Sequence, residues 1–151
     1  MSSRSTIEQD EMMTPMLAAC PSFAPMWDAF LSEWVGNPIL TKDGGGGSLP
    51  LYLVLSELAD HLIEKLETGN VQEFPAVFYV VEQWISHGSH YVSEAAVVGL
   101  LEDLSAGGRY QTASPRDIVK WLGPKSRKWW AEVIDFWDRL DKGKFRPLSV
   151  D

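Results

Sequence analysis

Residues 50–69 read PLYLVLSELADHLIEKLETG, and this stretch decides the fold. Leucines recur in it at intervals of three or four residues, at Leu51, Leu55, Leu58, Leu62 and Leu66. They form one apolar stripe, and polar side chains fill the other side, which is the pattern of an amphipathic α-helix. Gly69 follows, and glycine is the residue that most often ends a helix. The stretch predicts a helix over about 50–68.

The rest of the chain shows the same helical period, interrupted by short turn sequences. One helix begins just after Ser22, which is expected to cap it, and ends at Gly36. Pro75 and the length of the apolar run around it favour a helix over a strand there. The later helices are predicted over about 71–86, 90–105, 115–122 and 125–141. We therefore predict an all-α fold: a single compact domain of about six helices, arranged as antiparallel helical hairpins in a bundle or a short helical-repeat-like stack.

Two segments are predicted to lack regular structure. Residues 1–14 are polar and form a disordered N-terminal segment, followed by a single all-helical domain over 15–151. Within it, residues 42–48 contain four consecutive glycines and form a flexible loop. This loop lacks the lysine and hydroxyl spacing of a phosphate-binding loop, and part of it is identical to a common engineered linker unit.

Composition and charge exclude several classes of protein. A chain of 151 residues with 45% hydrophobic and 23% charged residues is neither disordered nor a disulfide scaffold. The net charge of −8 argues against nucleic acid as the main partner. The charge is uneven, since residues 1–108 carry −12 and residues 109–151 carry +4. This asymmetry either holds the two parts of one fold together or presents an acidic face to a basic partner.

The sequence predicts a cytoplasmic protein without membrane contact. Its one cysteine, Cys20, forms no internal disulfide, which fits a reducing compartment. The longest apolar run, residues 74–81, is far shorter than the roughly 20 residues that a bilayer requires. Leu17 to Cys20 looks like a lipoprotein cleavage box, but the residues before it are polar and form no membrane-inserting segment.

Acidic side chains are the main candidates for a binding site. Glu82 interrupts an apolar helix, and Glu102 and Asp103 interrupt the helix expected beside it. Such carboxylates accept arginine or lysine from a partner, and exposed carboxylates at the rim speed association. The predicted partner-binding residues are Glu57, Asp60, Glu64, Glu82, Glu102 and Asp103. The alternative for Glu82, Glu102 and Asp103 is that each reaches solvent or pairs within the fold with Arg109, Lys120 or Arg127.

No catalytic residue, metal site or cofactor is predicted. His87 and His90, with Glu94, have the residue types of a metal site, but a glycine between the histidines separates the two elements and favours a polar turn. His61 lies among charged residues and is interpreted as part of a solvated face. Cys20 has no base beside it in sequence and is interpreted as an inert, partly buried thiol.

Several core motifs carry a family resemblance. They are LPLYLVLSEL at 49–58, VVEQWI at 80–85, AVVGLLEDL at 96–104 and WLGPKS at 121–126. With them, residues 49–137 resemble an uncharacterised bacterial all-helical domain family whose members lack an assigned activity. The sequence is also similar in look to small cytoplasmic immunity proteins of bacterial toxin systems, a resemblance that implies a protein-binding role.

Two functions from different classes follow. The first is a non-catalytic protein-binding module, immunity-like, which neutralises a basic partner such as a toxin or an enzyme through an acidic surface. The alternative is a small enzyme with a carboxylate and histidine site between helices, with or without a metal. A structural subunit is a third possibility. The sequence does not identify the partner, the oligomeric state or a substrate.

Overall fold

The computed structural model describes residues 6–41 and 48–141, and within these ranges it contains helices and turns but no strand. The α-helices are α1 Met13–Ala19, α2 Ala24–Trp34, α3 Leu51–Glu67, α4 Phe74–His87, α5 His90–Glu94, α6 Glu102–Ser105 and α7 Pro124–Asp141. Short 3₁₀ turns lie at Gln9–Glu11, Pro21–Phe23, Pro38–Leu40, Gly107–Arg109 and Pro115–Trp121. The predicted all-α domain is confirmed. None of these helices combines the length and the apolar character that crossing a bilayer requires.

Helix α3 has the stripe that the sequence predicts. Its leucines face the core, and Leu55, Leu58 and Leu62 are fully buried. The helix ends at Glu67, and Gly69 adopts the left-handed backbone conformation, with φ +79°, that favours glycine after a helix. The amphipathic period of this stretch therefore fixes which face of α3 is covered.

Residues 90–105 form one continuous helix at the centre of the fold. Helix α5 runs into a π-helical segment, Ala95–Leu101, which runs into α6. Helix α3 packs against this π-helical segment, and α4 and α7 also contact it. A side chain at Gly99 would bring a Cβ to 3.1 Å from Leu55 Cδ1, so glycine permits the close approach of α3. The segment is buried and provides the middle of the core.

Helix α4 buries one broad face against neighbouring helices, while Tyr79 on its other side is 65% exposed. It packs against α1, α5 and α7. Trp84 is fully buried, and its indole Nε1–H donates a hydrogen bond of 3.0 Å to the carbonyl oxygen of Met12. The largest side chain of α4 thus buries its apolar ring and pairs its indole N–H.

Residues 6–14 differ from the disordered segment predicted over 1–14. Met12 is fully buried and Met13 is 4% exposed. The Ile7 N–H donates to the His87 carbonyl at 2.9 Å, and the Ser89 N–H donates to the Ile7 carbonyl at 2.8 Å. The polar composition conceals two methionines that fill core space, and their burial holds the segment on α4. Residues 1–5, and 42–47 of the predicted glycine-rich loop, lie outside the described residues.

Candidate functional site

Two of the predicted partner-binding carboxylates are bound to Arg109. The guanidinium Nη1 lies 2.6 Å from Asp60 Oδ1, and Nη2 lies 3.5 Å from Asp103 Oδ1. Nη2 also donates to the Ser56 hydroxyl at 3.0 Å. Burial raises the pKa of Asp103, and the charge of Arg109 opposes this shift only in part. Arg109 thus ties the turn at Gly107–Arg109 to α3 and α6, which is the internal pairing named as the alternative.

Glu82 caps the N-terminus of α7. Its carboxylate accepts the Lys125 N–H at 3.0 Å, the Ser126 N–H at 2.9 Å and the Ser126 hydroxyl at 2.8 Å. Burial tends to raise the pKa of Glu82, but the hydrogen bonds from Ser126 and Lys125 outweigh it, and the net pKa is lowered. The interaction joins α4 to α7 and uses the carboxylate oxygens within the fold.

The other three carboxylates have different environments. Glu102 is half-buried, and burial, followed by the neighbouring charge of Asp103, raises its pKa. Glu57 and Glu64 are exposed on α3. Asp103 interacts electrostatically with Asp60 and with Glu102, so these three carboxylates lie near one another. Glu82 is bound to the first turn of α7 instead.

The histidine pair at the turn after α4 does not converge on a metal site. His90 Nε2 lies 4.0 Å from Glu94 Oε2 one turn along α5. The His87 backbone carbonyl accepts the Ile7 N–H in the short bridge that holds the N-terminal segment. In the described part of the chain, the grouping that could hold a metal involves other residues.

That grouping consists of Cys20, His61 and Glu73. Together with Ser22, which contacts all three of them, we call it the polar cluster. The Ser22 hydroxyl lies 2.8 Å from His61 Nε2 and donates to Glu73 Oε1 at 2.5 Å. The Cys20 thiol donates to Glu73 Oε1 at 3.3 Å, and the Ser22 N–H donates to Glu73 Oε2 at 3.1 Å. The prediction that Ser22 caps α2 is wrong. The Ser22 N–H and hydroxyl both bind Glu73, just before α4, instead.

Burial and local charge fix the protonation states of the polar cluster. Burial raises the pKa of the Cys20 thiol to about 11. Burial, and then the charge of Lys65, lower the pKa of His61, so the imidazole is neutral near pH 7. Hydrogen bonds from Ser22 outweigh burial and lower the pKa of Glu73, which stays ionised. His61 is thus half-buried against Phe23, with ring centroids 5.5 Å apart, instead of lying on a fully solvated face.

A groove of about 510 Å³ lies beside the N-terminal segment. Its apolar lining is Met13, Leu17, Trp27, Leu49 and Leu51. The acidic residues Glu8 and Asp10 line it as well, and both are exposed. Trp27 is partly buried and stacks on Phe30, with ring centroids 5.4 Å apart, so the aromatic wall is held in place. We call this feature the acidic groove.

Sequence reasoning missed both the polar cluster and the acidic groove. The partners in the polar cluster are separated by 39 residues (Ser22 and His61) or 53 residues (Cys20 and Glu73), so no local spacing reveals them. The groove depends on residues 8–14, whose order is set by burial of methionines. The position of His61 beside Glu64 and Lys65 gives no signal that its ring turns toward Ser22.

The comparisons with known proteins place the chain in a family. Residues 13–138 match the family model described as "Domain of unknown function (DUF7674)". No curated protein and no solved structure matches the chain. The match begins at the first residue of α1 and ends within α7, so it includes the polar cluster and most of the groove. The chain therefore belongs to the family of this domain of unknown function, DUF7674.

Proposed function

We propose that this chain is a non-catalytic protein-binding module that holds a basic segment of a partner protein in the acidic groove. The observation that carries the proposal is the combination of an apolar floor with two exposed carboxylates, Glu8 and Asp10, in one concavity. Its volume of about 510 Å³ lies within the range of about 300–1,000 Å³ that is usual for binding pockets.

The groove suits a lysine or arginine side chain flanked by apolar residues. The aliphatic stem of such a side chain lies along Leu17 and Trp27, while its charged end reaches Glu8 or Asp10. Trp27 adds the attraction between a cation and an aromatic face, which amounts to about 0.5–1 kcal/mol at exposed sites. A neutral or acidic segment gains only the apolar part of this contact.

The charge of the chain supports a basic partner. Residues 1–108 carry −12, and Glu57 and Glu64 on α3 are exposed contributors to it. A field of this sign attracts a basic protein from solution and raises the association rate. A toxin or enzyme with a basic surface, neutralised in the manner of an immunity protein, is the partner that we propose.

One observation favours the alternative function, an enzyme. The Ser22 hydroxyl lies 2.8 Å from His61 Nε2, so a side chain that serves as a nucleophile in many enzymes contacts one that serves as a general base. However, Glu73 binds the Ser22 hydroxyl. In the usual triad the carboxylate binds and orients the histidine instead. Hydrolysis of a model ester that is abolished by Ser22→Ala would favour this alternative.

Affinity capture with charge-reversed baits tests the proposed function. The full chain and its Asp10→Lys and Glu8→Lys variants are used as baits in a lysate of the source organism, with Glu132→Lys as control. Glu132 is exposed on α7, and no residue of α7 lines the groove. We expect a basic protein that the wild type and Glu132→Lys retain and that both groove variants lose. A partner that all four baits retain equally would contradict the proposal.

A further inference from the structure

We propose that Cys20, His61 and Glu73 form a binding site for one Zn²⁺ ion, separate from the acidic groove and from the proposed protein-binding role. The Cys20 sulfur, a ring nitrogen of His61 and a carboxylate oxygen of Glu73 all lie within 4.8 Å of one another. The three ligands come from the end of α1, from α3 and from the residue before α4, so an ion there connects three elements.

The spacing of one pair of ligand atoms already suits tetrahedral coordination. Zinc bonds of about 2.0–2.3 Å place neighbouring ligand atoms about 3.3–3.6 Å apart. Cys20 Sγ lies 3.3 Å from Glu73 Oε1, so this pair needs almost no movement to share an ion. Three protein ligands leave a fourth position for water, as in open zinc sites.

The donor set favours zinc over calcium and magnesium. Calcium and magnesium prefer oxygen ligands alone, and this site offers one sulfur, one nitrogen and one carboxylate oxygen. A thiolate and a carboxylate together balance the double charge of the ion. A neutral imidazole nitrogen is among the commonest zinc ligands in proteins.

Ser22 positions the ligands before the ion binds. Its hydroxyl contacts His61 Nε2 and Glu73 Oε1, and lies 3.6 Å from Cys20 Sγ. On metal binding the hydroxyl gives up these contacts, while the Ser22 N–H keeps Glu73 Oε2 in place. Ser22 is thus a positioning residue.

Zinc binds cysteine as the thiolate, so the Cys20 thiol releases its proton to solvent as the sulfur coordinates the ion. Lys65 lies beside the site, with its Nζ 3.9 Å from Glu73 Oε1.

Cobalt titration of the full chain tests the site. Co²⁺ replaces Zn²⁺ in such sites, and a cobalt–thiolate bond produces a charge-transfer absorption band. Because Cys20 is the one cysteine in the sequence, this band identifies the sulfur ligand without any substitution. We expect the band to saturate at one ion per chain, to disappear when Zn²⁺ is added, and to be accompanied by release of one proton per ion.

Three variants locate the other ligands. Cys20→Ser, His61→Gln and Glu73→Gln should each weaken Zn²⁺ binding by more than about 100-fold, since loss of a ligand exceeds the 10–100-fold effect of an outer partner. His90→Gln, whose ring lies near Glu94 instead, is the matched control and should bind as the wild type does. Circular dichroism of the metal-free variants checks that each is folded. Absence of the cobalt–thiolate band in the folded wild-type chain would overturn the proposal, and so would unchanged zinc affinity in folded Cys20→Ser.

Discussion

Glu82→Ala is expected to lower the free energy of unfolding by removing the cap of α7. In the structure, both carboxylate oxygens of Glu82 accept hydrogen bonds from Lys125 and Ser126 at the first turn of that helix. The backbone N–H groups of a first turn have no partner within their own helix. Alanine leaves these donors without the carboxylate that binds them.

The magnitude follows from the burial of the donors. Ser126 is fully buried, so its N–H and its hydroxyl lose a partner that water does not easily replace, at about 1–3 kcal/mol for each group. Lys125 is exposed, and its N–H is rehydrated at little cost. We expect a loss of about 2–6 kcal/mol in total. A domain of this size loses about 2–4 °C per kcal/mol, so the melting temperature should fall by about 4–24 °C.

Gly123 provides a second way to disturb the same contact. A Cβ at this position would lie 2.6 Å from Glu82 Oε1, a carboxylate oxygen already held by hydrogen bonds. Gly123→Ala should therefore destabilise the wild type and have a much smaller effect when Glu82 is already alanine. This non-additivity distinguishes loss of the cap from a general effect on the helix.

Urea unfolding of the wild type, the two single variants and the double variant measures these terms. Glu132→Ala, which changes an exposed carboxylate on α7, is the control and should stay within about 0.5 kcal/mol of the wild type. A loss below about 1 kcal/mol for Glu82→Ala would refute the reasoning, because it would fall below the cost of leaving one buried donor unpaired. Equal effects of Gly123→Ala in both backgrounds would refute it as well.

Further predictions concern pH, the N-terminal segment and the turn after α4. The pKa of Glu82 is lowered in the fold, so its stabilising effect is present above the unfolded pKa of the carboxyl and is lost as pH falls through the folded pKa. The difference in free energy of unfolding between the wild type and Glu82→Ala should therefore narrow in acid. The pKa of Glu102 is raised, so Glu102→Gln should increase the melting temperature at pH 7, with the gain vanishing in acid. Trp84→Phe removes the hydrogen bond from the indole to the buried Met12 carbonyl and should cost about 0.5–1.5 kcal/mol by urea unfolding, with faster hydrogen exchange of the Ile7 amide. Gly88→Ala places a Cβ 2.3 Å from the Trp84 carbonyl oxygen and should destabilise the fold by at least about 1–3 kcal/mol; a melting temperature equal to that of the wild type would contradict the packing described there.

Helix periodicity is local, and the sequence therefore predicts the long helices well. The leucine stripe of α3 specifies a helix and its buried face from neighbouring residues alone, and the apolar run of α4 specifies a helix. The π-helical segment Ala95–Leu101 is not visible in that pattern, and neither is the close packing of α3 against it at Gly99.

The sites depend on long-range contacts, and the sequence does not reveal them. Glu82 interrupts an apolar helix, which correctly marks it as unusual, yet its partners lie 43 and 44 residues away at α7. Asp60 and Asp103 meet through Arg109, which is 49 residues from Asp60. Composition alone does not reveal these pairings within the fold, because the partners are distant in sequence.

The most direct test of the proposed function measures affinity and stability together. The dissociation constant for the captured partner and the melting temperature are determined for Asp10→Lys and Glu102→Lys. The proposal predicts that Asp10→Lys weakens binding at least tenfold with an unchanged melting temperature, because Asp10 is exposed at the groove. Glu102→Lys should lower the melting temperature, because Glu102 is half-buried, and leave affinity unchanged in the folded molecules. Weakened binding by Glu102→Lys, with Asp10→Lys binding as the wild type does, would contradict the proposal and place the interface on α6.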